Sequence, residues 1–430
     1  MYDTAQLVKI IDFWKETVDE KDLHYRPIVD SIDYKSREVV DIIGPRRSGK
    51  SSVLKLLIKK LNLTDNFLFI NFEDPYFVNH NDPQVIEELI AVYQEYFQKN
   101  LKFLFFDEIH AINHWERVVR KLRDSGVYKI FLTGSSSKLL SRELSTLLTG
   151  RHISYCVFPL SFQEFLSFKK IQIESKKNLI LKEKTLLKNF DDFLEYGGFP
   201  EIVKTNNIVL LKQYYFDILQ KDIVMRYDIR QKDILEKMGI FLITNLSKTI
   251  SIESLKKTFD LSFESVSTYL DYFYEAFLTF ELRQFSYSLK TQQKALKKLY
   301  TVDTGLANSI SFRFSQDKGR LLEQCVFLEL KRRGIEVYYY KTKHNQEVDF
   351  ILKLPNREKQ LIQVCWDITE SDTRKREFDS LRQAMEELKL TQGLVLSYNS
   401  EETIQTGKKK ITILPVYKWL VGNTWFIGKI

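Results

Sequence analysis

Eight consecutive residues, Gly44-Pro-Arg-Arg-Ser-Gly49-Lys50-Ser51, carry the spacing G-x-x-x-x-G-K-[ST]. Glycines at both ends let a backbone turn so that successive N–H groups point at phosphate oxygens. In that arrangement Lys50 reaches the β- and γ-phosphates of a nucleoside triphosphate, and the Ser51 hydroxyl ligates Mg²⁺. Gly44, Pro45, Arg46, Arg47, Ser48, Gly49, Lys50, Ser51 and Ser52 are therefore the candidate contacts for ATP. A second pair lies downstream, Asp107-Glu108. Asp107 is expected to hold Mg²⁺ through water, and Glu108 to polarise an attacking water on the γ-phosphate side. An acid pair after a strand is also a common helix cap. Thr133 or Ser135 could stand between the acids and the γ-phosphate, or simply cap a helix. Arg151 is the candidate arginine finger, acting within the chain or on a neighbouring subunit; an ordinary surface arginine is the other reading.

These residues need elements to hold them. Val39–Ile43 reads as a buried strand before the glycine loop, and 52–61 as the helix after it, which is the setting the loop requires. Phe103–Phe106 is an apolar run that places the acid pair at a strand's carboxyl end, where open α/β sheets bind ligands. Lys129–Thr133 is a third strand, followed by Gly134-Ser-Ser-Ser137. His110 and His114 are read as surface residues, because two histidines at this spacing make no metal site.

Taken together, several motifs resemble a known family. They are the glycine loop, Phe105-Phe-Asp-Glu-Ile109 with Trp115-Glu116, Leu132-Thr-Gly-Ser135, and Gly150-Arg151 with Pro159-Leu-Ser-Phe162. Tyr196-Gly-Gly-Phe-Pro200, Leu299-Tyr-Thr-Val-Asp303-Thr-Gly-Leu306 and Glu347-Val-Asp-Phe350 complete the set. The chain is similar to bacterial and archaeal predicted ATPases of the AAA+ superfamily with a nuclease-like C-terminal domain. The resemblance implies nucleotide hydrolysis and supplies no biological role.

The expected fold class is α/β: a P-loop NTPase domain with helical lid, a winged-helix domain and an αβββαβ nuclease-like C-terminal domain. The boundaries read 1–165, 166–233, 234–305 and 306–430. Residues 169–188 look continuously helical and run on through 195, and 206–225 form another long helix carrying Asp222 and Arg226. Between 234 and 302, three helices and a hairpin follow the DNA-binding arrangement. The outward side of the third helix carries Glu264, Ser265, Thr268 and Asp271, which lack the Arg, Asn or Gln that read base edges. Lys290, Lys294 and Lys297 at the hairpin tip could meet phosphates. Non-specific DNA contact and protein contact both stay open here.

In the C-terminal block the element order resembles the restriction-endonuclease-like fold, and the resemblance puts Glu323, Asp349 and Gln363 at the metal-ligand positions. Its lysine position holds Cys365, with Lys341 or Lys343 as substitutes from a neighbouring turn. A site lacking its ammonium is expected to be degenerate. Composition sets wide bounds. The 430 residues suggest several domains, and the net charge of +8 is too mild to be a nucleic-acid signature. Three scattered cysteines make no disulfide framework. No apolar run is long enough to span a membrane and no signal-peptide layout opens the chain, so a cytoplasmic protein is expected. An ATPase switch or motor on DNA or a DNA-associated partner is the leading reading. An ATP-regulated nuclease of a defence or mobile-element system, or a nucleotide-gated interaction protein, are the alternatives. A homo-oligomer stays open, as does a protein partner for the winged-helix or C-terminal region.

Overall fold

The computed structural model describes residues 2–97, 100–135, 150–311, 318–355 and 358–422. The chain divides into two compact units, residues 1–158 and 159–430. Among the described residues no helix is long and apolar enough to cross a membrane.

The first unit is a five-stranded parallel sheet: β1 (Val39–Ile43), β2 (Phe67–Asn71), β3 (Phe103–Asp107), β4 (Lys129–Gly134) and β5 (His152–Cys156). Their order across the sheet is β2-β3-β4-β1-β5. Strand alternation sorts the side chains into two buried layers. Leu68, Ile70, Leu104, Phe106, Ile130 and Leu132 pack with α1 (Thr4–Glu16), α4 (Gln84–Tyr96) and α5 (Trp115–Ser125). Phe67, Phe69, Phe105 and Phe131 face the opposite way, onto Val53, Leu54 and Leu57 of α3 (Lys50–Lys60). With both faces covered, β1, β3 and β4 read as near-continuous apolar runs, which is why these three were legible. The four-residue α2 (Ile28–Ser31) precedes β1.

The second unit begins with short helices. The helix Phe162–Phe168 comes first, and the expected continuous helix over 169–195 is instead two, Lys176–Leu181 and Glu183–Tyr196. Lys170 adopts a left-handed backbone (φ 59°), and the Ser175 side chain caps a new start by accepting from the Asn178 N–H. Neither signal involves Gly or Pro, so composition hid the break. The helix expected over 206–225 is Val209–Asp217 followed by a π-helical stretch, Ile218–Val224.

Three of the quoted motifs then meet. The Asp303 carboxylate accepts from the Gly198 N–H at 2.7 Å and the Leu306 N–H at 2.9 Å. Gly198 O accepts from the Leu160 N–H at 2.7 Å. A Cβ on Gly197 would lie 2.0 Å from Asp303 Oδ1, so no larger residue fits between them.

Helices Lys232–Thr244, Ile252–Phe259 and Phe263–Glu275 precede a small antiparallel sheet of β6 (Thr249–Ile250), β7 (Thr279–Leu282) and β8 (Lys297–Thr301), ordered β6-β8-β7. A short helix, Leu289–Lys294, stands in the β7–β8 connection where an open hairpin tip was expected. Lys297 is an ion-pair partner of Glu281 at 2.6 Å. The unit closes with helix Lys318–Arg332, strands β9 (Glu336–Lys341), β10 (Glu347–Lys353) and β11 (Lys359–Cys365), helix Ser371–Glu387, and β12 (Gln392–Ser397). Two further strands, β13 (Glu402–Thr406) and β14 (Lys409–Pro415), extend the sheet to six in the order β13-β14-β12-β11-β10-β9.

Candidate functional site

The glycine loop leaves β1 at Ile43 and enters α3 at Lys50. Gly44 has φ 147°, and a Cβ there would sit 2.2 Å from the Val157 carbonyl oxygen. The loop can therefore pass this close to the segment after β5 only as glycine. Gly49 (φ 95°) precedes the first turn of α3, whose free N–H groups and dipole favour an anion. Lys50 is 4% exposed, and its ammonium donates to the Pro45 carbonyl at 3.1 Å. Ser48 Oγ is buried without a hydrogen-bond partner. Arg26, just before α2, braces the loop from behind, donating to Ser48 O at 2.9 Å and Phe158 O at 3.0 Å. Arg46 pairs with Glu73 at 2.9 Å, whereas Arg47 is exposed and has a left-handed backbone.

The acid pair ends β3, and strand order brings β4 between it and β1. Asp107 is fully buried. Its Oδ1 accepts from the Thr133 hydroxyl at 2.5 Å and its Oδ2 from the Asn71 amide at 2.9 Å, and the Ser51 hydroxyl also bonds to it. Thr133 Oγ1 in turn accepts the Glu108 N–H at 2.8 Å. Thr133 thus ties the two acids together beneath the loop, and its hydroxyl proton is committed to Asp107. The expectation that it faces the γ-phosphate is corrected; Ser135 is buried one residue past β4. Ser136 and Ser137 lie outside the described residues.

Glu108 has φ 49°, a conformation that costs a non-glycine residue roughly 1 kcal/mol or more and turns its side chain back toward the loop. Its Oε1 lies 3.6 Å from Lys50 Nζ and its Oε2 3.4 Å from His110 Nδ1. His110 is therefore beside the acid pair and not on the surface as expected, while His114 is exposed. Burial and the neighbouring Glu108 charge push the Asp107 carboxyl up to about 6. Burial pushes Glu108 up as well, but Lys50, His110 and Arg46 outweigh it, and its net shift is downward. Glu108 is accordingly the carboxylate that holds its charge.

Asn71, Arg26 and His110 belong to this constellation and were missed from sequence. Only Asn71 left a signal, as the polar residue ending an apolar strand; the register pairs it with Asp107. Arg151 is elsewhere. It precedes β5, whose first residue pairs with Val39, so it sits about five strand steps, roughly 17 Å, from the loop end of β1. Its guanidinium instead contacts Asp124 at 3.2 Å. A finger acting on its own loop is excluded by this register. Leu147, Leu148 and Thr149 lie outside the described residues.

The second predicted centre is also rearranged. Glu323 and Asp349 are brought together, but around Lys298 of β8: its ammonium is 2.7 Å from Glu323, 2.8 Å from Glu347 and 3.4 Å from Asp349. Gln363 is turned to other partners: its Oε1 accepts the Asp349 N–H at 3.3 Å and its amide donates to Glu377 at 2.5 Å. Cys365 is buried, and burial lifts its thiol to about 12. Lys343 is exposed and Lys341 half-buried on β9; the lysine that arrives is Lys298.

A family model described as AAA domain matches residues 36–166. Two described as domains of unknown function, DUF8612 and DUF4143, match 187–317 and 318–419. The uncharacterized protein MJ1544 of Methanocaldococcus jannaschii is 40% identical over 396 residues, 88% of this chain and 87% of its own. An uncharacterized protein of Haemophilus influenzae is 30% identical over 403 residues, 91% of this chain and 96% of its own. Among solved structures, AMPPCP-bound DnaA from Aquifex aeolicus is 14% identical, covering 60% of this chain and 85% of that one; its TM-score of 0.26 is too low to carry an argument. The chain belongs to the same family as these archaeal and bacterial proteins, with an AAA domain in its first unit.

Proposed function

We propose that the first unit binds Mg·ATP and hydrolyses its terminal anhydride. The supporting observation is the position of Glu108: an ionised carboxylate, turned by its left-handed backbone to within 3.6 Å of the Lys50 ammonium, beside an Asp107 that bonds to Ser51. The residues fit the ion, since Ser51 and Asp107 are both oxygen donors within one hydrogen bond of each other and Ser48 Oγ is buried and unsatisfied. When bound, Mg²⁺ would supply charge neutralisation between the phosphate oxygens.

The chain's own residues do the rest. Residues 44–52 offer backbone N–H groups to the phosphates. Lys50 leaves the Pro45 carbonyl for the β- and γ-oxygens, and Glu108 orients the water and accepts its proton. Asn71 and Thr133 hold Asp107 in place, and Arg26 keeps the loop in shape. With its own loop out of reach, Arg151 acts as a finger only on a second copy of the chain. Glu108→Gln should keep ATP binding, read by calorimetry, and lose turnover; equal hydrolysis by both proteins would refute the assignment.

For the second unit we read 166–233 as the lid, 234–305 as a winged helix and 306–430 as a restriction-endonuclease-like domain. The exposed side of helix Phe263–Glu275 carries Glu264, Thr268 and Asp271, which argues against base reading. Exposed Tyr287 and Leu289 beside exposed Lys290 and Lys294 favour non-specific DNA as the stimulus of the ATPase. ATP turnover with and without duplex and single-stranded DNA tests this; turnover that ignores both, with tight ATP binding, would instead indicate a nucleotide-gated interaction protein.

A further inference from the structure

The centre around Lys298 draws on five elements: β8, helix Lys318–Arg332, β10, β11 and helix Ser371–Glu387. Lys298 is 2% exposed, and an unpaired ammonium cannot be buried that deeply at tolerable cost. Its three N–H donors meet three carboxylates, at 2.7, 2.8 and 3.4 Å. Two strand positions on, Tyr300 shares the same side of β8 and donates its hydroxyl to Glu323 Oε1 at 2.6 Å.

We propose that Lys298 is the resident cation of this centre. It stands where an endonuclease-like reading requires a divalent metal, so the centre is a metal-free lock between β8 and the six-stranded sheet and does not cleave DNA.

Neighbouring groups of the centre are engaged in the same sense. Asp349 Oδ2 accepts the Val364 N–H at 2.9 Å, Gln363 is held between Asp349 and Glu377, and Glu377 Oε1 pairs with Arg376 at 2.7 Å. A divalent ion needs several oxygens at roughly 2.0–2.6 Å, and the ammonium already occupies the place facing Glu323 Oε1, Glu347 Oε1 and Asp349 Oδ1. Among the described residues no group of three or more His, Cys, Asp or Glu side chains is disposed to hold a metal.

This inference does not depend on ATP hydrolysis, so its test silences the first unit's ion site with Asp107→Asn. In that background, without nucleotide, millimolar Mn²⁺ and EDTA should give the same thermal midpoint, and calorimetry should find no Mn²⁺ bound. Binding that vanishes on adding Glu323→Gln overturns the proposal, as does Mn²⁺-dependent nicking of supercoiled DNA that Asp349→Asn abolishes. For the lock, Lys298→Met should lower the midpoint, and combining it with Glu323→Gln and Asp349→Asn should restore part of the loss. An unchanged midpoint in Lys298→Met overturns the lock. If no Lys298 variant folds, the Mn²⁺ titration on the Lys298-containing chain still decides.

Discussion

Each unit buries a lysine against carboxylates, and the two arrangements differ in how many of the donors are held. Lys50 gives one hydrogen bond to a loop carbonyl at 3.1 Å and stays 3.6 Å from Glu108. Lys298 has carboxylate oxygens at 2.7, 2.8 and 3.4 Å. The first ammonium can leave for a phosphate with little loss. The second cannot leave without stranding several charges. A lysine beside acids is therefore a site in one setting and a lock in the other.

The largest effect that would break this comparison lies at the first centre. Glu108→Gln should slow ATP turnover by roughly 10²–10⁴-fold, the usual worth of a positioned general base, while ATP affinity stays. Lys50→Met should remove both binding and turnover yet lower the unfolding midpoint of the nucleotide-free chain less than Lys298→Met does, because it gives up one hydrogen bond and one 3.6 Å ion pair where Lys298 gives up three carboxylate contacts. At the second centre the pattern should invert. Removing one partner of a buried ion pair costs about 3–5 kcal/mol, so Lys298→Met should lower stability by that order while ATP turnover per folded molecule holds. If calorimetric unfolding gave the two variants equal losses, the distinction between site and lock would fail.

The two centres were also unequally legible. The glycine loop and Asp107-Glu108 are contiguous, and their chemistry can be named from spacing alone. Their supports come from other elements: Asn71 ends a different strand, Arg26 precedes the sheet, and only register places them. Thr133 was recognised but pointed the wrong way, because the strand order that puts β4 between β3 and β1 is not written in local sequence. Whether Arg151 could reach its own loop was hidden for the same reason, since parallel register with Val39 decides which end of the sheet it occupies. In the second unit, Glu323 and Asp349 were identified correctly as neighbours, but their cation was sought near them in sequence. It arrives from β8, and nothing local marks one lysine of Lys297-Lys298 as buried and the other as half-exposed.

Asn71 sharpens the comparison at intermediate cost. Its amide on Asp107 Oδ2 is a supporting bond to an expected Mg²⁺ ligand, and loss of such a bond typically weakens metal use by about 10–100-fold. Asn71→Ala should raise the Mg²⁺ concentration needed for half-maximal turnover within that range. Saturating Mg²⁺ should recover most of the rate. A rate loss that Mg²⁺ does not rescue would place Asn71 in the chemistry itself.

The smallest effect uses the two buried aspartates pushed up to about 6, Asp107 in the first unit and Asp303 in the second, each raised chiefly by burial from 3.8. A carboxyl whose folded value lies above its unfolded one binds more protons in the native state between the two values. Stability from that group is therefore complete below about 4 and is lost as pH rises through about 6. The nucleotide-free chain should lose stability across this window, read by urea unfolding of each unit at about pH 5 and about pH 7. Mg·ATP should cancel the first unit's share, because a metal ion beside Asp107 favours the ionised acid, and leave the share of Asp303 intact. Asp303→Asn should flatten the second unit's profile alone. Nucleotide that flattened both profiles equally would mean that the buried acids of the two units do not titrate independently.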